Sequence, residues 1–180
     1  MKSYCIAITG LPGCGKTTVG REVAVRLALP FLDKDTFLEQ LFDERGVGDV
    51  EWRQRLSLAS NHLFRGEAEA QRRVVLASHW RPPGLDGPSG TPTEWLSKHY
   101  DRVVELYCLC PVEVASRRFT TRSRHAGHLD GRRTPEEVEA WMRRYERHLP
   151  LGIGTQVRIS MGVHPDRVAV MVREAIGIEA

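Results

Sequence analysis

The stretch Tyr4-Cys5-Ile6-Ala7-Ile8-Thr9-Gly10-Leu11-Pro12-Gly13-Cys14-Gly15-Lys16-Thr17-Thr18-Val19 decides the architecture. A short, mostly apolar run runs into a glycine-rich turn. The turn opens a segment that carries Val19, Val23 and Leu27 at helical spacing. Gly10–Thr17 matches G-x-x-x-x-G-K-[ST] at every fixed position, in the strand–turn–helix setting that the pattern requires. Gly10, Gly13 and Gly15 let the backbone curl until several N–H groups point at one phosphate chain. The helix opening near Lys16 adds its positive dipole end. Lys16 is placed to reach β- and γ-phosphates, and the Thr17 hydroxyl to reach Mg²⁺.

Outward from this loop, short apolar runs recur at Phe31–Leu32, Val74–Ser78, Val103–Cys108 and Val157–Ile159. Continuous runs of this kind suit a parallel sheet covered on both faces. Helical patterns fall between them, at Lys16–Leu29, Thr36–Asp43, Val50–Arg72, Val112–Arg124 and Pro165–Ile176. Thr134-Pro135-Glu136-Glu137 reads as another helix start, with Thr134 as cap and Glu137 completing a capping box; that helix is expected to run to about His148. Strands alternating with helices define an α/β sandwich, in which ligands bind beyond the C-terminal ends of the strands. Arg81–Pro92, rich in Pro and Gly, reads as a loop inside one domain spanning 1–180.

The length of 180 residues suits one domain with its own core. The formal net charge of +3 is too small to imply a nucleic-acid partner by itself, although basic residues crowd between Arg117 and Arg147. Cys5, Cys14, Cys108 and Cys110 form no CxxC pair and read as free thiols in a reducing compartment. No apolar run approaches the ~20 residues that span a bilayer, and a usable strand begins almost at Met1. A cytoplasmic protein without membrane attachment, monomeric or homodimeric, is the expectation.

Asp33 and Asp35 follow the second strand, at the sheet edge that such ligands use. One carboxylate can hold Mg²⁺ through water while the other accepts the proton of an attacking hydroxyl; the plain alternative is that Asp35 or Thr36 caps the next helix. Arg117, Arg118, Arg122 and Arg124 come late in the helix after the fourth strand. Arg118 and Arg122 would share one helical face, and Arg117 and Arg124 another. Gly127 and Gly131 fit a flap, so a lid is placed at about 122–134. Trp95 and Trp141 read as packing residues, and His125 and His128 lack partners spaced for a metal site.

With these residues in view, the chain resembles the small P-loop kinases, an AAA-type ATP-binding group that includes shikimate kinase, gluconate kinase and chloramphenicol phosphotransferase. The resemblance implies a three-layer P-loop NTPase sandwich, a five-stranded parallel sheet of order 2-3-1-4-5 and a helical lid. It also implies ATP and Mg²⁺. Asp33-Lys34-Asp35 matches the D-x-D of shikimate kinases, where the first Asp supports the metal and the second contacts substrate; Asp35-Thr36-Phe37 is similar to the segment around the antibiotic kinase's catalytic Asp. The segment Arg122–His125 is similar to the R-x-x-H that begins the gluconate kinase lid, which implies Arg122 as the lid arginine. By the same analogy Ser160–Val163, with Met161, lines adenine, and Arg117 or Arg118 stacks on the purine's other face.

Where shikimate kinases carry glycines after the third strand, this chain has Ser78-His79-Trp80-Arg81, a departure that argues against shikimate itself. His79, Trp80 and Arg81 offer a hydrogen-bonding group, an aromatic face and a cation to a polar acceptor; equally, Trp80 packs in the core and Arg81 is solvated. The reading that follows is a phosphotransferase moving the γ-phosphoryl group to a hydroxyl of a small polar molecule. Lys16, Asp35 and Arg122 are catalytic, and Thr17 and Asp33 hold the metal. Two alternatives stand beside it: a polynucleotide or nucleoside 5′-hydroxyl kinase, disfavoured by Leu38 where such enzymes often have Arg, and a nucleotide-gated binding protein without kinase activity.

Overall fold

β1 (Tyr4–Thr9) is buried along its whole length, as a central strand of alternating apolar and small residues must be when both faces are covered. A computed structural model describes residues 2–87 and 89–177. The chain continues through α1 (Lys16–Leu27), β2 (Phe31–Asp33), α2 (Lys34–Arg45), α3 (Val50–Glu69), β3 (Arg73–Ala77) and a single turn, α4 (Leu96–His99). It closes with β4 (Arg102–Leu109), α5 (Val112–Thr121), α6 (Pro135–Glu146), β5 (Thr155–Ser160) and α7 (Pro165–Ile176). The strands form one parallel sheet ordered β2-β3-β1-β4-β5.

Successive residues of β1 point to opposite faces and so found two cores. Ile6 and Ile8 join α1, α5, α6 and α7 through Val23, Ala115, Met142 and Val172. Cys5 and Ala7 join the other layer, with Phe64 and Ala68 of α3, Leu96 of α4, and Trp80. A third cluster, Leu38, Leu41, Phe42 and Leu56, binds α2 to α3. The fully buried Glu105 of β4 accepts from Thr9 Oγ1 at 2.9 Å and from the N–H groups of Leu151, Gly152 and Ile153 at 2.7, 2.8 and 3.3 Å. A buried carboxylate is tolerable when its oxygens are satisfied in this way.

The helix starts follow their caps. The Thr134 hydroxyl accepts from Glu137 N–H, while the Glu137 carboxylate accepts from Thr134 N–H, with Pro135 at the first position. Two boundaries differ from the sequence reading, with consequences for the site. α2 begins at Lys34 rather than Thr36, because the Asp33 carboxylate caps it by accepting from Asp35 N–H at 3.1 Å. The alternative of Asp35 or Thr36 as cap is thereby corrected, and Asp35 is left in the first turn. α5 ends at Thr121, with Arg122 already extended. Between Phe119 and Gly127 no residue is buried, so nothing holds Arg122-Ser123-Arg124 in a helix, and Arg117 and Arg124 do not share a helical face.

Between α5 and α6 the chain makes two single 3-10 turns, Ala126–His128 and Asp130–Arg132. This segment docks on α2. His125 stacks on Phe42 with ring centres 5.2 Å apart, His128 meets the same ring edge-on, and His128 Nε2 lies 2.8 Å from Glu39 Oε1. A Cβ on Gly127 would come within 2.5 Å of Phe42, so Gly127 serves close approach rather than freedom of movement. Among the described residues, no helix is long and apolar enough to cross a membrane.

Candidate active site

The curl after β1 places Gly10, Gly13 and Gly15 at φ of 132°, 84° and 97°, values that L side chains avoid. A Cβ on Gly13 would come within 2.4 Å of the Ala115 carbonyl, so packing as well as dihedral demands glycine there. Lys16 Nζ donates to the carbonyls of Gly10 and Leu11, both at 2.9 Å, and lies folded over its own loop. Leu11 contributes through its backbone; its side chain is buried in the core.

Beside the loop opens a cleft of about 650 Å³, lined among others by Lys16, Thr17, Asp33, Asp35, His79 and Arg122. Thr17 Oγ1 donates to Asp33 Oδ2 at 2.7 Å. Burial and then the neighbouring Asp35 charge raise the Asp33 carboxyl above its ordinary value. A hydroxyl and a carboxylate, both hard oxygen donors and already in contact, fit a small divalent cation.

Asp35 experiences the opposite balance. Burial pushes its carboxyl up, but Arg124, His128, Lys34 and Arg122 together outweigh that and hold it below the ordinary value. Arg124 forms an ion pair with Asp35 and a second, at 3.0 Å, with Asp130. Arg122 lies over the Phe119 ring at 4.6 Å and only 4.0 Å from Asp130. Both arginines line the cleft, but Arg124 is the one bonded to Asp35. The extended backbone after Thr121 produces this difference, and helical spacing had no way to show it.

The residues after β3 divide. His79 lines the cleft, its Nδ1 has no partner, and its ring packs against Tyr145 at 4.6 Å and Trp141 at 5.5 Å. Burial foremost, then the Lys16 charge, holds its imidazole well below the ordinary value, so it is neutral near pH 7. Trp80 is a correction: it is 1% exposed, its Nε1 donates to Ile8 O at 2.8 Å, and it belongs to the core. Arg81 is also corrected, because its guanidinium turns to the Gly87 carbonyl and does not line the cleft. Trp141 of α6 packs against the core as expected, yet also borders the cleft, and Arg133 lies 5.0 Å over its ring.

Arg53 is a cleft residue that the sequence reading passed over. Its Nε is buried without a partner. Nothing in a helix of mixed polar and apolar residues distinguished it from Arg55 or Arg65; its orientation comes from the packing of α2 on α3. Lys34, between the two aspartates, is buried, donates to Ser57 Oγ at 2.8 Å and is pushed down to about 8, mainly by burial.

A second cavity of about 310 Å³ lies on the far side of the loop, bordered by Thr18, Val19, Arg118, Met161 and Val163. Arg118 Nη1 lies 3.5 Å from Met161 Sδ, which brings together two residues that the sequence reading assigned to one nucleotide base.

The parallel sheet, the glycine curl and the strand-end carboxylate define a P-loop nucleotide-binding protein of the α/β class. A family model described as "AAA domain" matches residues 6–148, and the chain belongs to that family. Its relatives are small P-loop kinases. It is 30% identical to the chloroplastic shikimate kinase of Solanum lycopersicum over 118 residues, which is 65% of this chain but 37% of that enzyme's length. It is 28% identical to the cytidylate kinase of Pyrobaculum islandicum over 142 residues, 78% of this chain and 72% of that one. Among solved structures, a candidate kinase of Chloroflexus aurantiacus superposes with a TM-score of 0.79 at 27% identity, over 97% of this chain and 99% of its own.

Proposed function

We propose that the protein is an ATP-dependent phosphotransferase that moves a γ-phosphoryl group to a hydroxyl of a small polar, anionic acceptor. The observation that carries this reading is the meeting of Lys16, Thr17, Asp33 and Asp35 with two lid arginines in one cleft. The second cavity, with Arg118 and Met161, takes the adenine, and the loop from Gly10 to Thr18 takes the phosphates.

Thr17 and Asp33 would hold Mg²⁺, which when bound neutralises phosphate charge. Lys16 exchanges the carbonyls of Gly10 and Leu11 for phosphate oxygens. Asp35 orients the acceptor hydroxyl and takes its proton late, a role that suits a carboxylate held below its ordinary pKa, since a loose phosphoryl transition state asks little of a base. Arg122 and Arg124 stabilise charge on the moving group and exclude water from the cleft. Arg53 and His79, which both line the cleft and each carry a buried nitrogen without a partner, contact the acceptor. An acceptor with an anionic group satisfies Arg53; a neutral sugar does not.

The test is a coupled ADP-release screen over hydroxy acids, sugar acids, sugars and nucleosides. A hit should disappear in Lys16→Ala. In Asp35→Asn turnover should fall about 10²-fold or more while Mg·ATP affinity stays within about threefold. Undiminished turnover in Asp35→Asn removes Asp35 from the mechanism.

A second reading is favoured by the arginines of the cleft, which include Arg132 and Arg133, and by the cytidylate kinase relative: the acceptor already carries a phosphate, as a nucleoside monophosphate does. Inclusion of the monophosphates in the screen separates the two.

A further inference from the structure

Two sulfurs meet beneath the phosphate loop. Cys14 precedes Gly15 in the curl, and Cys108 stands near the end of β4. The two side chains approach each other there, close enough for each to influence the other's titration. A Cβ on Gly10 would lie 2.9 Å from Cys14 Sγ and 3.3 Å from Cys108 Cβ, so both side chains converge on the face of that glycine. Both residues are buried from bulk solvent, yet both border the 310 Å³ cavity, through which a small molecule reaches them. The environment also distinguishes the two. The neighbouring Cys108 thiol and, against the cost of burial, the Lys16 charge and backbone N–H hold the Cys14 thiol below its ordinary value. The neighbouring Cys14 and burial raise Cys108. One sulfur is disposed to react and the other, beside it, to resolve.

We infer that Cys14 is an oxidative modification site and that Cys108 is its resolving partner, so that a hydroperoxide converts the pair to a disulfide that disables the phosphate loop. In the first step the Cys14 thiolate attacks hydrogen peroxide. A sulfur–oxygen bond forms, the O–O bond breaks, sulfur loses two electrons and hydroxide departs. In the second step Cys108 attacks the Cys14 sulfenic acid. The S–S bond forms, the S–O bond breaks, and the departing hydroxide leaves as water with the Cys108 proton. Two thiols and one peroxide thus give one disulfide and two waters. An S–S bond of about 2.05 Å is shorter than any non-bonded sulfur contact. Closing that gap draws the curl toward β4, and backbone N–H groups that must sit about 3 Å from phosphate oxygens lose their aim. A bound nucleotide, by covering the cavity, protects the pair. This last consequence rests on the proposed nucleotide site; the disulfide itself does not.

The experiment uses the full chain, reduced and then exposed to hydrogen peroxide with or without Mg·ATP. Peptides are mapped by mass without reduction, and Mg·ATP binding is measured by calorimetry before oxidation, after it, and after dithiothreitol. The expected result is a Cys14–Cys108 cross-linked peptide, formed more slowly with Mg·ATP present. Affinity should fall about tenfold or more and recover on reduction. In Cys108→Ser, dimedone should trap a sulfenic acid on Cys14. Cross-linking of Cys14 to the nearby, partly exposed Cys110, recovery of Cys14 and Cys108 as free thiols, or no dimedone adduct in Cys108→Ser each overturns the assignment. A disulfide that leaves affinity unchanged overturns the disabling role. Reduced protein that binds no nucleotide refutes the nucleotide reading instead, and the peptide map still decides the thiol chemistry.

Discussion

Arg124, in the segment between α5 and α6, is ion-paired with Asp35 in the first turn of α2, and its charge is the foremost of those that hold this carboxyl below its ordinary value. Removal of Arg124 takes away the largest of the cationic influences on Asp35 and leaves burial, which raises its pKa, less opposed. In Arg124→Ala the acid limb of the kcat/KM profile should therefore move to higher pH, and turnover at pH 7 should fall about 10²-fold. Stability has the same sign. Asp35 is held below its unfolded value, so its contribution is present above that value and is lost as pH falls through the folded one. An acid limb that stays in place in Arg124→Ala separates the pair from catalysis.

Thr17 Oγ1 and Asp33 Oδ2 are in contact at 2.7 Å. Thr17→Val keeps the shape and removes the hydroxyl. Mg·ATP should bind about tenfold more weakly, while metal-free ATP should bind nearly as before, so the two calorimetric affinities converge. An equal loss in both would assign Thr17 to the phosphates rather than the metal.

Trp80 and His79 are neighbours in sequence with opposite expected phenotypes. Trp80→Phe leaves the Ile8 carbonyl without its donor and should cost about 1–3 kcal/mol in urea unfolding, with the acceptor KM unchanged. His79→Ala should raise the acceptor KM several-fold. A KM effect in Trp80→Phe without loss of stability would return Trp80 to the acceptor site.

Glu105 has its two oxygens committed to four donors. Glu105→Gln places an NH₂ where acceptors are required, and unfolding free energy should fall by about 3 kcal/mol. Mg·ATP affinity of the folded protein should be unaffected, because Glu105 does not border either cavity. Urea denaturation with parallel calorimetry checks both.

Much of the architecture was legible because it is written in local terms. Five short apolar runs, a capping box at Thr134–Glu137 and a glycine curl each carry their signal within a few residues, and all appear where expected. Asp33 and Asp35 were legible for the same reason, since a strand end fixes their place. The lid was not. Arg122 stood out by analogy and by an assumed helix, but that helix needs a packed face beyond Phe119, and none exists.

The sequence alone determined the phosphate loop, the parallel sheet and the aspartate pair, because hydrophobic period, glycine conformational freedom and helix capping act over a turn or less. Only the tertiary structure decided that Arg124 meets Asp35, that Arg53 lines the cleft, that Trp80 is core, and that the Cys14 and Cys108 side chains converge on Gly10. Those contacts join residues as many as 94 positions apart in the case of the two sulfurs, and the packing of whole layers brings them together, so no local pattern records them.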